Sequence, residues 1–150
     1  MMKKDDRSQE GTKPETIRIL NKDQFLYLLD LEVKRARRYQ NFLSILFLKF
    51  IQCSNDDQGE DLQSCHQELR NLLMGEMRET DILGSLGENK LVVLLPYADV
   101  LAGEHAKSRF ADTLKYYDFK SKGYELEIDQ ICFPINGTDT IDLVKKALET

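Results

Sequence analysis

The stretch Asp81-Ile-Leu-Gly-Ser-Leu-Gly-Glu-Asn-Lys-Leu-Val-Val-Leu-Leu-Pro96 decides the fold. Two short apolar runs, Ile82–Leu86 and Leu91–Leu95, flank the polar tetrapeptide Gly87 to Lys90, and Pro96 ends the second run. Runs of this length bounded by turn residues are strands, and the glycine-led tetrapeptide is a hairpin turn. Upstream, Leu62, Cys65, Leu69, Leu72, Leu73 and Met77 recur at helical spacing, after a turn expected over Asn55–Gly59. Before that, Leu43-Ser-Ile-Leu-Phe-Leu-Lys-Phe-Ile51 is nearly continuous apolar sequence, the pattern of a strand covered on both faces, with Lys49 as its odd member. Further back, Asn21 and Gln24 have the spacing of a capping box, and Phe25, Leu28, Leu29, Val33 and Ala36 form one buried stripe. Lys34, Arg35, Arg37 and Arg38 close that helix, where its dipole favours cations.

Downstream of the hairpin, Leu101, Ala102, Ala106, Phe110 and Leu114 mark a third helix. Tyr124, Leu126 and Ile128 alternate as a half-buried strand whose phase slips near Gln130, the sign of a bulge. Asn136-Gly137 is a turn, and Ile141, Leu143, Val144, Ala147 and Leu148 begin a last helix. The order α-β-α-β-β-α-β-α contains no repeat and no linker. It predicts one α/β (α+β) domain with a mixed parallel and antiparallel sheet and helices packed on it, the split βαβ or ferredoxin-like plan.

Composition narrows the function classes. The chain has 150 residues, 26 acidic and 21 basic side chains and a formal net charge of −5. Non-specific duplex binding rests on many phosphate-neutralising cations, so no nucleic-acid partner is expected. One small anionic ligand needs only two or three placed cations and stays open. Cys53, Cys65 and Cys132 are far apart and odd in number, which suits a reducing, cytoplasmic setting with all three as small buried hydrophobes. Met1–Thr16 is polar and of mixed charge, read as a flexible tail ahead of a domain over 17–150. No apolar run reaches bilayer length, so no membrane partner is expected.

The hairpin also resembles the central hairpin of GGDEF domains, the diguanylate cyclases, with Gly87-Glu88-Asn89-Lys90-Leu91 in place of the name-giving motif. Glu32-Val-Lys-Arg-Ala-Arg-Arg-Tyr39 is similar to the end of that family's helix, Leu43–Leu48 to its first core strand and Phe133-Pro-Ile-Asn-Gly137 to its C-terminal segment. The resemblance runs from about Asn21 to Thr150 without the family's final strand, and implies a nucleotidyl-cyclase-like fold. A diguanylate cyclase joins two GTP molecules with divalent metal held by acidic residues. At the implied acidic positions this chain has Lys49, Asn89 and Lys90, and Glu88 stands at the second glycine. The guanine-recognition motif is not recovered between Ser54 and Gln67. Two ammonium groups cannot ligate a hard dication, so neither cyclase activity nor a metal cofactor is expected. The lysines are either remnants on an unused surface or direct contacts to phosphate.

The resemblance further implies a product-binding inhibitory site for cyclic di-GMP, built on Arg-x-x-Asp. Arg78-Glu-Thr-Asp81 stands at the matching distance from Gly87, Arg109 is in register on the following helix, and Arg35 corresponds to an arginine given by a neighbouring domain. Arginine offers a planar fork to phosphate or guanine and a face for stacking, and aspartate accepts from guanine N–H groups. The expectation is a cyclic di-GMP receptor in bacterial second-messenger signalling, dimerising on its ligand through Arg35 of a second copy and acting through a protein partner. The other reading is a nucleotide-free interaction module, in which Arg78 and Asp81 are a solvated helix-end pair. A second Arg-x-x-Asp occurs at Arg109–Asp112, so the motif by itself does not specify the site. His66 and His105 lie on separate predicted helices without ligand spacing and are expected to be packed or exposed.

Overall fold

A computed structural model describes residues 19–53, 59–87 and 89–149. The tail Met1–Thr16 and Glu88 lie outside the described residues, as does the expected turn from Asn55 to Gln58. Gly59 already belongs to the following helix. The elements in chain order are β1 (Ile19–Leu20), α1 (Lys22–Tyr39), β2 (Leu43–Gln52), α2 (Gly59–Glu76), β3 (Ile82–Gly87) and β4 (Lys90–Pro96). They continue with α3 (Val100–Leu114), a single 3-10 turn (Lys120–Lys122), β5 (Tyr124–Phe133) and α4 (Thr140–Glu149).

The sheet order is β1-β3-β4-β2-β5. Leaving β1 aside, all neighbours are antiparallel, as the ferredoxin-like plan requires. The only parallel pair among the described residues is β1 with β3, which matches Ile19 to Leu83 and Leu20 to Gly84. Asn21 caps α1 as its spacing predicts: Gln24 N–H donates to Asn21 Oδ1 at 2.8 Å, and Asn21 N–H to Gln24 Oε1 at 3.0 Å. The basic end of α1 is not wholly solvated, since Arg37 donates to the Thr138 carbonyl at 2.7 Å.

Strand alternation sorts the core into two layers. Leu46, Leu48 and Phe50 of β2 join Cys65, Leu69, Leu73 and Phe110 under α2 and α3. Ile45 and Phe47 join Phe25, Leu29, Val33 and Leu143 under α1 and α4. Both faces of β2 are therefore dry, the physical reason for its unbroken apolar run. Each such side chain contributes about 1.5–3 kcal/mol on burial. Cys65 and Cys132 are buried as expected, whereas Cys53 is exposed just past the end of β2, beyond the reach of either layer.

The bulge expected near Gln130 is absent. β5 pairs with β2 without interruption from Tyr124–Gln52 to Phe133–Leu43. The apparent slip comes from a polar residue on a core-facing position: the Gln130 amide donates to the Val100 carbonyl at 3.0 Å. Beside it the Ser44 hydroxyl donates to the carbonyls of Ala98 at 2.9 Å and Asp99 at 3.1 Å. A Cβ at Gly103 would collide with both side chains, so glycine lets α3 sit directly on this polar seat. The seat fixes the start of α3, and through it the face that the helix turns to the loop before β3.

Candidate functional site

Arg78 and Asp81 form a closed turn between α2 and β3. Arg78 N–H donates to Asp81 Oδ2 at 2.9 Å, and Asp81 N–H donates back to the Arg78 carbonyl at 3.0 Å. Arg-x-x-Asp is thus a conformational unit, in which the spacing holds the carboxylate in place. Arg109 reaches the same corner from α3. Its guanidinium donates to the Glu76 carbonyl at 3.4 Å, one of the orphan acceptors at the end of α2, and its Nε lies 3.5 Å from Glu76 Oε1. Arg78, Asp81, His105 and Arg109 line one cleft of about 150 Å³, floored by Pro96 and Ala106. Burial pushes the Asp81 carboxyl above the usual carboxylate range, against the Arg78 N–H and the two guanidinium groups, which pull it down. The corner presents a partly desolvated acceptor between two permanent cations.

Arg35 is not part of this cleft. It pairs with Glu32 at 3.1 Å on α1 and lines a separate small pocket with Phe42 and Tyr97. Pro96 borders both pockets, so Arg35 stands across a single proline from the cleft.

The hairpin tip has a different character. Lys49 and Lys90 face each other across β2 and β4, and Lys49 faces Glu127 on β5. Lys90 is only 8% exposed. Burial and the Lys49 charge push its ammonium below the usual lysine range, while Asp129 pulls it back up. Asn89 ties the tip to β2: its side chain donates to the Phe50 carbonyl at 3.2 Å, and Phe50 N–H donates to its carbonyl at 2.9 Å. Gly87 closes the ladder opposite Lys90 with a φ of 156°, open to an L side chain only under strain. Among the described residues, no three His, Cys, Asp or Glu side chains cluster as metal ligands.

No protein-family profile and no curated protein matches the chain. Solved structures do. A diguanylate cyclase protein from Thermotoga maritima superposes with a TM-score of 0.73 at 17% identity, covering 88% of this chain and 95% of that one. A Pseudomonas aeruginosa protein comprising only its GGDEF domain gives 0.67 at 19% identity, covering 86% and 80%. The fold is that of a GGDEF domain. A microbial GGDEF domain whose structure describes its interaction with bis-(3′,5′)-cyclic di-GMP gives 0.61 at 12% identity, covering 87% and 81%.

Placed on the GGDEF fold, the β3–β4 hairpin carries Lys90 where the resemblance implies an acid, and the cleft lies at the opposite end of β4. His105 is the cleft residue that sequence reasoning missed. It is exposed and lines the site one helical turn before Arg109, and that i, i+4 spacing was the available signal. His66 is half-buried against Phe50, with ring centroids 6.5 Å apart, and burial followed by the Arg70 charge pushes it below the usual histidine range. A larger cavity, about 500 Å³, lies elsewhere, between the end of α3, the 3-10 turn and β5. It is lined by Tyr117, Phe119 and Leu126, with Lys115, Asp118, Lys120 and Glu125 as its charged residues. No helix of the described residues is long and apolar enough to cross a membrane.

Proposed function

We propose that this chain is a catalytically inactive GGDEF-like domain that binds cyclic di-GMP in the Arg78–Asp81–Arg109 cleft. The observation that carries this reading is the convergence of those three side chains, from a loop and from α3, on one opening. Asp81 accepts guanine N–H groups, and the two guanidinium groups take phosphate or the guanine Hoogsteen edge and offer stacking faces. Pockets for drug-sized ligands measure roughly 300–1,000 Å³. At about 150 Å³ the cleft holds part of a cyclic dinucleotide and leaves the rest outside. An intercalated dinucleotide pair would therefore bridge two copies, with Arg35 of the second copy closing over it, and would convert ligand concentration into association. No metal takes part and GTP is not turned over, because Lys49 and Lys90 occupy the positions where the resemblance implies acids. A protein partner would read the ligand-bound dimer.

One observation favours the nucleotide-free interaction module instead: Arg109 is already engaged by Glu76. The receptor reading requires the ligand to compete for that guanidinium or to share it.

Calorimetry with cyclic di-GMP separates the two. Wild type should bind at tens of micromolar or tighter, and Arg78→Ala should bind at least about fiftyfold more weakly, the cost of a lost charge-assisted bidentate contact. No heat from wild type leaves the interaction module standing.

A further inference from the structure

Resting on the receptor reading, we propose that His105 is a fourth ligand-contacting group of the cleft and that it makes binding proton-linked. His105 and Arg109 lie one turn apart on α3 and line the same opening. Opposite them stand Arg78 and Asp81 from the loop before β3. Glu76 of α2 is occupied by Arg109. At the entry to α3, the Asp99 carboxylate is occupied by the Ala102 N–H at 2.8 Å. Glu104 and Lys107 are the remaining charged neighbours of His105 along the helix.

A neutral imidazole offers one donor, whereas the imidazolium offers two donors and a charge. Histidine is the side chain that changes between these forms from about pH 5 to 8. An anionic phosphodiester seated against Arg78 and Arg109 favours the imidazolium, so binding is coupled to proton uptake at His105. By linkage, affinity then rises as pH falls through that window. The other cleft groups cannot produce this sign. The arginines do not titrate, and protonating Asp81 removes an acceptor, which weakens binding on acidification.

Calorimetry with cyclic di-GMP at pH 6 and pH 8 tests the proposal. Wild type should bind roughly five- to tenfold tighter at pH 6. His105→Gln should bind weakly at both values with no such rise, and His105→Lys should bind tightly at both. Position 105 is exposed on a helix, so both variants should fold. A wild type that binds equally at the two pH values overturns the proposal alone, as does a His105→Gln variant that keeps the wild-type rise. A wild type that binds at neither pH overturns the receptor reading and the proposal with it.

Discussion

The cleft beside Arg78 and the tip of the β3–β4 hairpin are the two charged ends of β4, and they handle charge in opposite ways. In the cleft, two guanidinium groups and one carboxylate of complementary sign converge on an opening. At the tip, two ammonium groups oppose each other inside the sheet, with Lys90 buried. Like charges directly opposite across strands oppose folding. Burial, and after it the Lys49 charge, pushes Lys90 below the usual lysine range, whereas burial pushes Asp81 up despite attractive neighbours. The cleft keeps groups of complementary sign near water, and the tip sets two like charges against each other within the sheet.

The largest test of this contrast is Asp81→Asn. The amide oxygen still accepts from Arg78 N–H, so the turn survives, but the anionic acceptor is lost. Affinity for cyclic di-GMP should fall by about tenfold or more in calorimetry, while stability at pH 7 stays within about 0.5 kcal/mol of wild type in urea. The folded-state titration of Asp81 lies above its unfolded value of 3.8. Wild type therefore loses some stability as pH rises through that folded value, and Asp81→Asn should not.

A smaller effect is expected at the tip. Lys90 titrates in the folded state below its unfolded value of 10.5. Its charged form is disfavoured by folding, so wild-type stability should gain a contribution as pH rises from the folded value toward 10.5. Lys90→Met should remove that rise, stay within about 1 kcal/mol of wild type at pH 7 and leave cyclic di-GMP affinity unchanged. A loss of affinity in Lys90→Met would erase the distinction between the two corners.

Much of the fold was legible because its signals are local. The capping box at Asn21 and Gln24, the dry run of β2 and the glycine-led hairpin each depend on residues within a few positions. β1 was not legible, since two residues cannot display alternation. The false bulge at Gln130 shows the limit of hydrophobic pattern: a core-facing amide satisfied by the Val100 carbonyl looks in sequence like a residue on the wrong face. Cys53 was misread because its strand leaves the core just before it. At the site, the Arg78–Asp81 pair was legible as a local unit, whereas Arg109 rested on family register. His105 depends on how α3 is rotated over Ser44 and Gln130, which is set by contacts far apart in sequence.

The most direct measurement is amide chemical-shift mapping of the wild-type protein as cyclic di-GMP is added. The account predicts shifts at Arg78–Asp81 and along Ala102–Arg109, with Phe50 and Asn89–Leu91 unmoved. Shifts centred on the hairpin tip, or none at saturating ligand, would contradict it.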